Sequence, residues 1–225
     1  IVEIGPGEGA LTHALISGEC RLDAIELDRD LRTRLLAAFS TYSGFTLHSA
    51  DALDFDFASL ATGGTRLRVV GNLPYNISTP LIFKLLEQAQ IITDMHFMLQ
   101  LEVVERLAAS PGSKDWGRLG VMAQFWCEVE QLFEVSPEAF YPPPKVRSAV
   151  VRLTPHPEPP FPNVDPTSLA RVVTQAFSQR RQTLRNNFKD TMEDSDFGGL
   201  AIDPSARAET LSIADFVAIA AHLQG

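Results

Sequence analysis

Cysteine is nearly absent. Cys20 and Cys127 are the only two in 225 residues, and their spacing matches no ligand pattern. That excludes a disulfide framework or a zinc site and fits a reducing cytoplasm. Both are expected to be buried small apolar residues. The five histidines are scattered singly and read as structural, so no metal is expected. No apolar run is long enough to span a bilayer, and no signal-peptide pattern is visible. Positive charge is also scarce. Nineteen Lys and Arg stand against 28 Asp and Glu, a net charge of −9. This argues against indiscriminate nucleic-acid binding but leaves room for a local basic face.

What the chain has is apolar material, 45% by residue. That supports one sizeable core, with or without a small satellite domain, and a monomer is expected. Short apolar runs alternate with helix-like stretches. Ile1–Gly5, Leu22–Leu27, Phe45–His48, Leu67–Asn72 and Asp94–Gln100 read as strands. Ala10–Ser17, Asp30–Phe39, Pro80–Ala89 and Glu102–Ala109 read as the helices between them. Such alternation gives parallel strands with crossover helices, a doubly wound Rossmann-like α/β sheet. The chain opens inside a strand-like run and is read as a piece lacking the segment before it. Ser110–Gly117 is polar and expected to be mobile. Leu119–Trp126 looks helical. Val129–Val135 and Ala149–Thr154 are expected to pair as an antiparallel hairpin at a sheet edge, joined across Tyr141-Pro142-Pro143-Pro144.

After Thr154 the character changes. Residues 155–162 hold five prolines and read as a stiff linker. Pro166–Phe177, Gln179–Phe188 and Ile213–Leu223 follow as helices. We therefore expect a ligand-binding α/β domain over 1–155 and a small all-helical domain over 156–225.

The chemistry is expected where strands end. Gly5-Pro6-Gly7-Glu8-Gly9-Ala10 joins the first strand to the first helix, and its glycines let a ligand approach the backbone. Gly5, Gly7 and Ala10 also satisfy the dinucleotide pattern, so this loop alone does not separate a nicotinamide site from an S-adenosylmethionine site. Glu26 ends the second strand, where a carboxylate can accept two ribose hydroxyls. Asp51 follows the third, where it can accept an adenine amine. Nicotinamide folds have no standing need for that second acid, which tilts the reading toward S-adenosylmethionine.

Asn72-Leu73-Pro74-Tyr75 lies beyond the fourth strand, on the edge where open sheets bind ligands. A neutral amide there accepts hydrogen bonds rather than protons. With a backbone carbonyl it can hold an aromatic amine, while Tyr75 covers the ring. Phe140, ahead of the rigid Tyr141–Pro144 segment, is expected on the other face. A base bound this way must first leave its stack.

Ile1–Thr12, Glu26–Asp28, Asp51-Ala52, Asn72–Ser78 and Phe140–Val151 together resemble the ribosomal RNA adenine dimethyltransferases. Ala176–Asn187, which contains Arg-Arg-Gln-Thr-Leu-Arg, is similar to the branch that dimethylates two adjacent adenosines in small-subunit (16S) rRNA. The resemblance implies S-adenosylmethionine as cofactor and the small ribosomal subunit as partner. It implies cofactor contacts at Glu3, Gly5, Gly7, Glu26, Leu27, Asp51, Ala52 and Asn72, and a catalytic corner at Asn72, Leu73, Pro74, Tyr75 and Phe140. The alternatives are a large-subunit rRNA methyltransferase, a non-catalytic ribosome-assembly or transcription-factor relative, and, less well supported, a nicotinamide oxidoreductase.

Arg180, Arg181, Arg185 and Lys189 fall within ten residues, and Asp and Glu are absent from Arg171 through Lys189. Arg181, Arg185 and Lys189 follow i, i+4 spacing and are expected to share one helix face as a phosphate-contacting stripe.

Overall fold

Among the described residues, seven strands form one sheet in the order β3-β2-β1-β4-β5-β7-β6. The structure is a computed structural model and describes residues 1–18, 20–74 and 76–224. The first five strands are β1 (Val2–Ile4), β2 (Leu22–Glu26), β3 (Phe45–Ser49), β4 (Leu67–Asn72) and β5 (Ile92–Gln100). They run parallel. All residues of β1 and β2 are buried. Strands covered on both faces need continuous apolar runs rather than alternation, which is why Val-Glu-Ile and Leu-Asp-Ala-Ile-Glu are legible.

The crossover helices are α1 (Ala10–Ile16), α2 (Arg29–Phe39) and α3 (Ser78–Leu86). Asp28 starts α2: its Oδ1 accepts the amides of Asp30 and Leu31 at 2.8 and 3.0 Å. Those amides hold its carboxyl below the usual carboxylate range, the Leu31 bond contributing most. Gly9 starts α1 with φ 84°, and a Cβ there would meet the Phe39 ring at 2.6 Å. Glycine is therefore required on conformation and on space.

Beyond β5, the strands β6 (Cys127–Val135) and β7 (Ser148–Pro155) pair antiparallel. β7 pairs antiparallel with β5 as well, so the hairpin closes one sheet edge as anticipated. Cross-strand ion pairs brace it: Arg152 with Glu130 directly opposite, and Arg147 with Glu134 at 2.7 Å. Burial pushes the Cys127 thiol up to about 12. Cys20 is only half-buried, because its place ahead of β2 leaves it near the sheet's rim.

The chain divides into two compact units, Ile1–Val104 with Cys127–Pro155, and Glu105–Trp126 with His156–Gly225. A single cut at Pro155 therefore misses Glu105–Trp126. The chain leaves the sheet unit within α4 (Leu101–Leu107) and passes through α5 (Arg118–Trp126) before β6. Six of the nine residues of α5 are buried, and Phe125 stacks on Phe161 with centroids 6.2 Å apart. A helix apolar on most sides needs neighbours all round, and α6 (Pro166–Ala176) and α9 (Ile213–His222) supply them. Ser110–Gly117 is tied down rather than loose. The Trp116 indole is buried and donates to the Leu211 carbonyl at 2.9 Å, and the Gly112 amide donates to the Glu209 carbonyl at 2.7 Å. No helix among the described residues is long and apolar enough to cross a membrane.

The helical unit corrects the expected basic stripe. Residues 177–181 form turns, and α7 covers only Leu184–Asn187. The Ala206 and Pro204 carbonyls accept the amides of Leu184 and Arg185 at 2.9 and 3.0 Å, which fixes the helix start. The Asn187 side chain donates to the Ala176 carbonyl at 2.7 Å, closing the end of α6. Arg180 and Arg181 are therefore off the helix, and Lys189 lies past it. Arg185 grips Asp194 with two bonds, 2.7 and 2.5 Å long. Arg180 donates to the Lys114 carbonyl and lies 4.0 Å from Glu209. Arg181 and Lys189 are exposed and make no ion pair among the described residues.

Candidate functional site

Four strand ends place the expected residues along one edge of the sheet. At the end of β1, Gly5 and Gly7 take φ of 64° and 58°. These left-handed conformations turn the loop without a Cβ penalty. The Gly5 amide donates to the Ile25 carbonyl at 3.0 Å. Glu26, at the end of β2, locks the same loop from the other side. Its Oε2 accepts the Gly7 amide at 3.3 Å, and its Oε1 accepts the Asp28 amide at 2.9 Å. A carboxylate offers about four acceptor sites, so two bonds leave capacity for two hydroxyls. Leu27 beside it is 64% exposed, an apolar surface left open next to a polar anchor.

After β3, Asp51 Oδ1 accepts the Leu53 amide at 2.8 Å, and the Asp51 carbonyl accepts the Asp54 amide at 3.1 Å. The turn holds this carboxylate half-exposed, while Ala52 beneath it is buried. Glycines with open φ, a carboxylate with spare acceptor sites, an exposed leucine and a second carboxylate suit a nucleoside carrying an adenine. The donor set thus fits S-adenosylmethionine.

Glu3, which the resemblance assigns to the cofactor, lies within β1. It is 1% exposed and accepts the Thr12 hydroxyl at 2.7 Å. Strand alternation turns its side chain away from the glycine loop and onto α1. Burial raises its pKa, only partly offset by the Thr12 bonds. It braces the loop from behind.

β4 ends on Asn72, which is exposed. The preceding Gly71 lets β4 approach β1, since a Cβ there would lie 2.6 Å from the Ile4 carbonyl oxygen. Leu73 is buried, and its amide donates to the Met98 carbonyl at 3.3 Å, which anchors the corner to β5. The Pro74 carbonyl accepts the amides of Ile77 and Ser78 at 3.2 and 3.1 Å, leading into α3. One open pocket is lined by Asn72, Leu73, Pro74, Phe140, Tyr141, Pro142 and Pro144. Phe140, 68 positions away in sequence, is thus brought to the same pocket as Asn72 by the β6–β7 hairpin. Tyr75 lies outside the described residues. Tyr141, in sequence only part of a stiff connection, is also a pocket residue. Its only signal was an aromatic directly before three prolines.

Comparison with known proteins places this arrangement. A family model described as ribosomal RNA adenine dimethylase matches residues 1–225. A Pseudomonas aeruginosa protein named ribosomal RNA small subunit methyltransferase A is 60% identical over 223 residues, 99% of this chain and 83% of that protein. A protein of the same name from Saccharophagus degradans is 58% identical over 217 residues, 96% of this chain and 81% of that one. Among solved structures, a dimethyladenosine transferase from Plasmodium falciparum superposes with a TM-score of 0.79 at 24% identity, covering 97% of this chain and 87% of its own. The 23S rRNA methyltransferase ErmE superposes with a TM-score of 0.74 at 23% identity, covering 100% of this chain and 90% of its own. The two structures share the methyltransferase fold. From the family match and the identity to its relatives, the chain belongs to the ribosomal RNA adenine dimethylase family.

Proposed function

We propose that this protein transfers methyl groups from S-adenosylmethionine to N6 of two adjacent adenosines in small-subunit rRNA. The observation that carries the reading is the shared pocket of Asn72 and Phe140, on the same sheet edge as the glycine loop one strand over and as Glu26 and Asp51 at the ends of the next two strands.

Glu26 accepts the ribose hydroxyls of the cofactor, Asp51 its adenine amine, and Leu27 packs on the adenine face. Bound S-adenosylmethionine supplies an electrophilic methyl group. Asn72 Oδ1 accepts one N–H of the target amine. The Pro74 carbonyl already serves two amides, so we assign the second N–H to the Leu73 carbonyl. Two acceptors draw the amine toward a tetrahedral geometry and free the lone pair that adenine otherwise delocalises. Asn72 is neutral and takes no proton; as the C–N bond forms the S–CH3 bond of the donor breaks to leave a neutral thioether, and the proton that N6 loses goes to water. Its contribution is position and preorganised electrostatics. Phe140 holds one face of the extruded base.

The large-subunit alternative rests on a fold likeness at 23% identity, whereas relatives at 58–60% carry the small-subunit name. An intact amine corner disfavours a non-catalytic relative. The test is incubation with methyl donor and undermodified small subunits, followed by mass analysis of nucleosides. Dimethyladenosine at two neighbouring positions is expected. Modification of large subunits alone, or of neither, would overturn the reading.

A further inference from the structure

Tyr141 is 100% exposed, whereas Phe140 next to it is half-buried. Both line the pocket that holds Asn72. A wholly exposed aromatic ring is costly to hydrate and contributes nothing to a core. This one is also held stiffly. Pro142, Pro143 and Pro144 follow it, and each fixes its own φ. At the two ends of the connection, β6 and β7 are paired to one another from Val135 and Ser148 inward. Ring and pocket therefore lie on one short, proline-stiffened connection of the sheet unit. Lys145, exposed, stands on the same connection.

An extruded base leaves a gap in its strand. The nucleotide beside it loses a stacking partner and costs free energy until another flat surface replaces it. Single-stranded RNA is held in this way, with successive bases on successive aromatic faces. Phe140, half-buried, serves the base inside the pocket. Tyr141, at the rim and fully open, serves the next one. We infer that Tyr141 stacks on the base adjacent in sequence to the adenine held at Asn72, and so sets which nucleotide enters the pocket. The inference rests on the RNA-adenine reading above. Stacking uses the π-face and not the N6 edge, so the neighbour binds whether or not it already carries methyl groups. One side chain then stacks on the base to the same side of whichever adenosine of the pair is in the pocket.

The experiment compares Tyr141→Ala, Tyr141→Phe and Tyr141→Trp with wild type on undermodified small subunits. Single-turnover rates are measured over a range of subunit concentration, and cofactor affinity by calorimetry. Tyr141→Ala is expected to raise the half-saturating subunit concentration roughly 5- to 150-fold, the range for losing one base–aromatic stack. The saturating rate changes less, and cofactor affinity and melting temperature stay put. Phe and Trp restore binding. Tyr141→Gln repeats the comparison should alanine disturb the turn. Unchanged half-saturation in both the Ala and Gln variants would overturn the inference, as would a Phe variant as poor as Ala, which would assign the contact to the hydroxyl. If wild type itself methylates no subunit, the underlying reading fails instead.

Discussion

The Lys84 ammonium donates to the Leu53 carbonyl at 2.6 Å, and the Leu53 amide donates to Asp51 Oδ1 at 2.8 Å. Lys84 belongs to α3, the helix that follows the amine corner. Its ammonium also sits 5.7 Å from the centre of the Phe57 ring. The helix after the amine corner is thus tied through Leu53 to the carboxylate proposed for the cofactor. Lys84→Met keeps the apolar stem and removes the charge. It should weaken S-adenosylmethionine by about 1 kcal/mol, or roughly fivefold in Kd, the scale of one net hydrogen bond. Calorimetry finding the wild-type Kd would show that Asp51 holds its position unaided.

Asn72→Ala should reduce the methylation rate far more than it reduces cofactor affinity. If the amide acts as other preorganised acceptors and donors do, the barrier rises by about 2 to 4 kcal/mol. Single-turnover kinetics on small subunits measures this directly. A near-normal rate would refute the assigned role.

Glu3 supplies a pH signature. Burial raises its pKa above the ordinary glutamate range. The folded chain therefore keeps its proton at pH values where the unfolded chain has released it. The contribution to stability is greatest below the unfolded pKa and falls as pH rises through the folded one. Glu3→Gln keeps a partner for Thr12 and removes the titration. Its melting temperature should match wild type near pH 4 and exceed it at pH 7. A difference that does not vary with pH would contradict the burial argument.

The basic segment predicts two distinct phenotypes. Arg185 is engaged with Asp194, and Arg180 with the Lys114 carbonyl. Replacing either should disturb the helical unit, visible as a lower melting temperature. Arg181 and Lys189 are the members open to phosphate. Their joint neutralisation should flatten the log–log salt dependence of subunit binding by roughly one to two, with no change in melting temperature. An unchanged slope would mark both as solvated surface.

What was legible in the sequence follows from this contrast. Gly5, Glu26, Asp51 and Asn72 could be located because each closes a strand, and strands buried on both faces announce themselves as apolar runs. The edge hairpin was readable for a similar reason, as two strand-like runs with a proline-rich connection. The basic stripe was misread because charge spacing says nothing about tertiary partners. Asp194, Pro204 and Ala206 decide the course of 178–188, and all three lie downstream of it. Trp116 gave no hint of its bond to Leu211, 95 residues away, so its loop passed for a mobile one. Glu3 matched a family position, but only the facing Thr12 reveals which way the carboxylate turns.

The strand order has a further consequence. The glycine loop, Glu26 and Asp51 hang from β1, β2 and β3, while Phe140 and Tyr141 hang from the hairpin at the opposite margin. β4, bearing Asn72, is the seam where these halves meet, and β5 separates it from the hairpin. On the proposed reading, changes in the connection between β6 and β7 would alter how RNA is held while the half proposed for the methyl donor stays as it is. A fold wired this way can swap customers without retooling its engine.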